Sequence, residues 1–162
     1  DAISPSEVFK QNLPIIRNLA EKDKITFKGI KKTDKKVLVD RSRLEQILLN
    51  FITNAIKYNK PNGSLEFGCY EMDNDTLKIY VKDTGVGIPK DKENMLFSPF
   101  DRINNSHSIE QNHSNIGIPG IGLGLSICKK LTESMGGTIG YESIIGEGST
   151  FWVIFPIVNS DA

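Results

Sequence analysis

Three groups of residues in this 162-residue chain have types and spacings suited to chemistry. Asn50, Asn54 and Lys57 stand at i, i+4 and i+7 within RSRLEQILLNFITNAIKY, residues 41–58, so a helix would align them in one polar strip. Amide oxygens suit a hard cation, and an ammonium suits phosphate. Two satisfied core asparagines and a snorkelling lysine fit the same strip. Asp83 opens DTGVGIP, residues 83–89, where Gly85 and Gly87 permit a tight turn that leaves the carboxylate facing a pocket. An ionised carboxylate only accepts hydrogen bonds, which suits an exocyclic amine such as that of adenine. A plain glycine turn is the alternative. Gly120, Gly122 and Gly124 of PGIGLGLS, residues 119–126, sit where a loop becomes a helix. Exposed N–H groups at such a start suit an anion. No Gly-Lys-Ser/Thr follows, so this is not a Walker loop, nor does it follow a strand as a dinucleotide fingerprint does. A glycine hinge without a ligand fits it too.

The elements that must position these groups are read from periodicity. On the helix over 41–58, Leu44, Ile47, Leu48, Phe51 and Ala55 form one apolar face. Leu49, Ile52 and Ile56 cover much of the rest, so this helix is expected to be buried. Asp40 is placed to cap it, and Pro61 lies beyond its end. A helix over 6–21 precedes it, with Pro14 predicting a kink or two shorter pieces. Residues 25–30 and 36–39 read as strands, and 65–71 and 76–82 as a hairpin over MDND. Residues 90–101 are short and irregular, with Leu96, Phe97 and Phe100 as anchors. Residues 102–120, rich in Asn, Ser and His, read as a functional lid or a disordered loop. A helix over 123–135 stops at Gly136-Gly137, and strands over 138–143 and 149–157 close the chain. This order predicts an α/β two-layer sandwich on a mixed sheet.

Composition narrows the class. At 38% hydrophobic the chain, 1–162, reads as one globular domain. Lys plus Arg and Asp plus Glu both number 20, which gives no electrostatic case for nucleic acid. No apolar run is long enough to cross a membrane, and the start carries no signal peptide. Cys69 and Cys128 stand alone in apolar surroundings, as buried thiols of a reducing compartment, hence a cytoplasmic location. A start at Asp1 without Met is expected of a piece of something longer.

In order and spacing, NFITNAIKY, DTGVGIP, LFSPFDR, GIGLGLS and GSTFWVIFP resemble the catalytic ATP-binding domain of sensor histidine kinases, box for box over about 40–156. That resemblance implies a Bergerat-type sandwich of about five strands backed by three helices, the fold shared with DNA gyrase and mismatch-repair ATPases. It also implies ATP and Mg²⁺ as ligands and assigns roles by position. Asn54 would bind Mg²⁺ through its amide oxygen, Asn50 would support the same cluster, and Lys57 would contact phosphate; these three carry the catalytic roles. Tyr58 would lie against the nucleotide and Asp83 would bind the adenine amine, with Gly85, Gly87 and Ile88 shaping that wall. Thr150 would help through its hydroxyl or a water. Phe97 and Phe100 would anchor a lid over about 102–119, with Arg102 reaching phosphate. Gly120, Gly122 and Gly124, with Leu123 and Leu125, would wrap the phosphates. Ile121 stands where a threonine is often found, and residues 110–114 add polar length to the lid.

Relatives that hydrolyse ATP place a glutamate where this chain has Asn50, an amide without useful basicity. The resemblance therefore implies transfer to an acceptor histidine on a separate dimerisation domain, with a response regulator receiver domain downstream and a homodimeric full-length kinase. His107 and His113 sit in the lid, each followed by serine, and read as solvated loop residues rather than the acceptor or a zinc pair. A non-catalytic nucleotide-binding module and an anti-sigma-factor serine kinase share the fold and remain alternatives. Residues 102–119 hold too little apolar surface to offset the entropy of ordering them alone. Hydrogen exchange across them should be fast in the free protein and slow with ATP and Mg²⁺; slow exchange in both states would count against a lid.

Overall fold

Asp40, two residues beyond a strand, begins the helix around which the chain packs. The computed structural model describes residues 1–89, 97 and 121–158. The Asp40 carboxylate accepts from the Arg43 N–H at 3.0 Å, capping α2 (Arg41–Lys57). Leu44, Ile47, Leu48, Phe51, Ile52, Ala55 and Ile56 of α2 are all buried, as expected of a helix apolar nearly all round. α1 (Pro5–Lys22), capped by Ser4, lies against it; Asn12 donates to Val8 O at 2.8 Å and to Glu45 Oε2 of α2 at 2.9 Å.

Pro14 does not divide α1 into the two shorter pieces that the sequence allowed. The proline and Lys10, whose carbonyl loses its partner, are both exposed, so water can take up the freed carbonyl. The opposite face, Val8, Phe9, Asn12, Ile16 and Ala20, is buried and holds the helix in place.

The sheet contains β1 (Ala2–Ile3), β2 (Thr26–Lys31), β3 (Lys36–Leu38), β4 (Ser64–Glu71), β5 (Thr76–Asp83), β6 (Thr138–Ile144) and β7 (Gly148–Val158). Its order is β1-β3-β7-β5-β4-β2, with β6 also on β7. Only the β2–β4 pair is parallel among these, so the sheet is mixed. Five longer strands make the expected sheet; β1 and β3 extend its edge, β1 by a segment too short to show a period of two. α3 (Ile121–Ser134) joins α1 and α2 on one face. There Leu65, Phe67 and Cys69 of β4, Leu77, Ile79 and Val81 of β5, and Phe151, Val153 and Phe155 of β7 share one core with the helices. Phe67 lies 4.1 Å from Phe9 and 4.7 Å from Phe27, ring centre to ring centre, and Phe51 of α2 lies 5.7 Å from Phe151.

The sequence readings at Leu96, Phe100, Arg102, His107, His113 and Gly120, and the lid as a whole, lie outside the described residues.

β5 is an inner strand, and its last residue, Asp83, stands opposite Leu65 of β4 and Ser149 of β7. The β6–β7 turn closes tightly on that strand end. Gly148 has φ +134°, and a Cβ there would collide with the Asp83 carbonyl; Gly146, at φ +85°, faces open space. Gly146→Ala should therefore cost only the left-handed strain, about 1–2 kcal/mol. Gly148→Ala should cost about 1–3 kcal/mol more, because the strands must part to admit the methyl. Urea unfolding midpoints of the two variants check the difference.

Candidate functional site

α2 carries Asn50, Asn54 and Lys57 along one strip, as its 3.6-residue turn requires. Asn54 is only 4% exposed, yet its side-chain amide has no hydrogen-bond partner among the described residues. Among the described residues the buried side-chain atom without a partner is Thr132 Oγ1, so the Asn54 amide keeps an edge that a ligand can reach. Asn50 is half-buried and donates through Nδ2 to Cys128 Sγ of α3 at 3.5 Å. Gly124, on the first turn of α3, closes over the same amide: a Cβ there would come to 3.4 Å from it. Lys57 is half-buried, and that burial lowers its pKa below the ordinary lysine value. The start of α3 thus meets the strip, with Gly122 already inside the helix and Gly124 and Leu125 buried beneath it.

A second constellation gathers at the end of β5. Asp83 is 5% exposed; its Oδ1 accepts from the Gly85 N–H at 2.8 Å and the Ser149 N–H at 3.2 Å. Among the described residues Oδ2 accepts no hydrogen bond, which leaves an acceptor for a ligand. Burial pushes the Asp83 pKa up, and the two N–H bonds pull it only part of the way back.

The DTGVG turn is tied to its neighbours by main-chain contacts. Val86 N–H donates to the carbonyl of Tyr58 at 3.2 Å, and a Cβ on Gly85 would collide with that carbonyl. Gly87, at φ +78°, lies against the carbonyl of Ile144, and Gly146 N–H reaches Val86 O at 2.9 Å. Ile88 N–H donates to Ser143 Oγ at 2.7 Å, and Ser143 Oγ lies 2.9 Å from Ser149 Oγ. Tyr58, the C-cap of α2, is 43% exposed beside this turn. Phe97 is half-buried, 6.1 Å from the Tyr141 ring, which lies 6.0 Å from that of Phe151.

The register adds a residue that the sequence did not single out. Ser149, not Thr150, is the partner of Asp83; Thr150 stands opposite Lys82 of β5 and Glu142 of β6. Alternation turns a strand's adjacent side chains to opposite faces, so the Thr150 hydroxyl is on the wrong side for Asp83. Ser149 and Ser143 were missed because register cannot be counted from one strand alone. The sequence marks Cys128 only as a buried thiol.

Among the described residues no group of three His, Cys, Asp or Glu could hold a metal. A cation here would rest on an amide oxygen and on the ligand's phosphates, which is how Mg²⁺ is commonly held. The partnerless Asn54 amide fits that requirement.

The sequence pattern of the histidine kinase-, DNA gyrase B- and HSP90-like ATPases matches residues 39–159. The adaptive-response sensory kinase SasA of Synechococcus elongatus is 34% identical over 118 residues, 73% of this chain and 28% of its own length. The catalytic domain of the histidine kinase ThkA, in a nucleotide-free form, superposes with a TM-score of 0.77 at 27% identity, covering 96% of this chain and 94% of that one. Full-length ShkA in complex with AMPPNP gives 0.78 at 26% identity, over 99% of this chain and 31% of that one. The chain belongs to the histidine kinase-, DNA gyrase B- and HSP90-like ATPase family, as an ATP-binding domain of the histidine kinase type.

Two measurements follow from Asp83. Asp83→Asn turns part of an acceptor into a donor and should weaken ATP binding by about 1–3 kcal/mol. Because burial raises the Asp83 pKa, ATP affinity should fall on acidification from a pH above the ordinary aspartate value of about 3.9. The sign for stability is opposite. A carboxyl raised in the folded state favours folding in acid, and that contribution is lost as pH rises through its folded pKa. Calorimetric titrations across pH should show this fall in the wild type and lose it in Asp83→Asn.

Proposed function

We propose that the domain holds Mg-ATP and donates its γ-phosphoryl group to a histidine on a separate dimerisation and phosphotransfer domain, in two-component signalling. The observation that carries this reading is the chemistry of the α2 strip. Asn50 and Asn54 present amides, and no carboxylate stands on the strip to activate water. That is the make-up of a site that protects ATP until an acceptor arrives. AMPPNP, an ATP analogue, in full-length ShkA supports ATP as the ligand.

Each end of the nucleotide has its partner. Asp83 accepts from the adenine amine, and Gly85, Gly87 and Ile88 form the wall that excludes water there. Tyr58 covers the nucleotide. Asn54 and Asn50 would hold Mg²⁺ near the phosphates; Mg²⁺, when bound, neutralises charge on the β- and γ-phosphoryl groups. Lys57 and the N–H groups at the start of α3 meet the phosphate oxygens. The acceptor imidazole nitrogen attacks the γ-phosphorus in line, the bond to the β–γ bridging oxygen breaks, and ADP leaves. The domain's contribution is position and charge.

The chain spans 28% of the length of SasA. The acceptor domain, a homodimeric full-length kinase, a receiver domain downstream and a cytoplasmic location belong to this proposal. Among the described residues no helix is long and apolar enough to cross a membrane.

Incubation with γ-labelled ATP should leave this domain unlabelled and hydrolyse ATP slowly. Adding a dimerisation helix with its own histidine should yield an acid-labile, alkali-stable phosphoryl group on that partner. Labelling of His107 or His113, or rapid turnover, would overturn the division of labour. Asn54→Ala should abolish the magnesium dependence of ATP binding and keep the melting temperature. A collapse of stability instead would make Asn54 a structural core residue.

A further inference from the structure

We propose that Cys128 is a positioning residue for the phosphate end of the site: its sulfur selects the orientation of the Asn50 amide that turns Oδ1, rather than the NH₂ group, toward the metal and phosphates. The inference rests on the reading of the α2 strip as a Mg-ATP site. The two ends of an asparagine amide are nearly equal in size, so packing alone barely distinguishes them. Their electrostatics are opposite. Only the oxygen can face a cation, and only the NH₂ group can donate.

The structure supplies the selector. Asn50 Nδ2 donates to Cys128 Sγ at 3.5 Å, across the α2–α3 contact. Cys128 is wholly buried, and its sulfur lies 3.9 Å from the Ile47 carbonyl, toward which its S–H is directed. With the proton committed there, the sulfur lone pairs are left for the Asn50 NH₂. Gly124, one helical turn before Cys128, faces the same amide, where a Cβ would come to ordinary contact at 3.4 Å. The last glycine of the loop-to-helix segment and a cysteine four residues on therefore act on one amide. Cys69, the other buried thiol, lies in the core on β4 and serves as the control.

Cys128→Val keeps the volume and removes the acceptor, while Cys128→Ser keeps an acceptor. Calorimetry with ATP, with and without Mg²⁺, is run on both variants, on Cys69→Val and on the wild type. The Asn50 side-chain NH₂ resonances are followed in the nucleotide-free protein. Cys128→Val should weaken binding of Mg-ATP by about tenfold, the usual effect of losing a group that orients a metal ligand. It should leave Mg-free ATP binding unchanged and shift the Asn50 NH₂ resonances. Cys128→Ser should stay within about threefold of the wild type, because it keeps the hydrogen bond. Cys69→Val should change neither binding nor the Asn50 resonances.

Equal loss of Mg-ATP and Mg-free ATP binding in Cys128→Val, or no loss at all, overturns the inference. If Cys128→Val does not fold, the wild-type spectrum decides: an Asn50 NH₂ proton must show a through-space contact to the Cys128 Hβ protons, and its absence overturns the inference. Wild-type protein that binds ATP with no magnesium dependence overturns the proposed function instead. The Asn50 resonances then still report whether the sulfur holds the amide.

Discussion

An ionisable carboxylate buried at the end of an inner strand is the constraint on which this structure depends. Asp83 is 5% exposed, and among the described residues two main-chain N–H groups, from Gly85 and Ser149, compensate its charge. Burial still raises its pKa. A carboxylate in that position costs stability unless a further donor arrives. The glycines around it exist to bring main chain, rather than side chains, into reach. Gly85 lies against the Tyr58 carbonyl and Gly148 against the Asp83 carbonyl, where any Cβ would collide. Among the described residues one carboxylate oxygen of Asp83 accepts no hydrogen bond, and the proposed function gives it the adenine amine.

The same contacts join the two ends of the site. Val86 N–H bonds the Tyr58 carbonyl at the C-terminus of α2, and α2 carries Asn50, Asn54 and Lys57 on its preceding turns. Asn50 in turn is packed by Gly124 and bonded by Cys128 of α3. A nucleotide that engages Asp83 at one end would therefore meet the strip at a distance set by a single helix rather than by a flexible loop. Rigid elements of this kind hold a reacting group more closely than loops do.

Much of this was legible in the residues. The apolar face of α2, its Asp40 cap and the β4–β5 hairpin follow from local periodicity and turn chemistry, which are properties of short segments. Five motifs in order carried the family resemblance, and the match over residues 39–159 agrees with it. What was not legible depends on pairing between distant segments. Ser149 rather than Thr150 faces Asp83 because of the β5–β7 register, and a slip of one residue would reverse that choice. Cys128 reaches Asn50 across 78 residues of sequence, so nothing local marks it. β1, two residues long, has no alternation to read. Pro14 does not break α1 because the tertiary core buries the opposite face of that helix.

The central claim is that the Asp83 carboxylate exists to accept from the exocyclic amine of adenine. The direct measurement is calorimetric titration of the wild-type domain with ATP and with GTP at equal magnesium. GTP presents a carbonyl where ATP presents the amine, so it would set an acceptor against an acceptor. ATP should bind more tightly than GTP by at least about a hundredfold, since a site built to bond a donor rejects a ligand lacking it. Equal affinity for the two nucleotides would contradict the account.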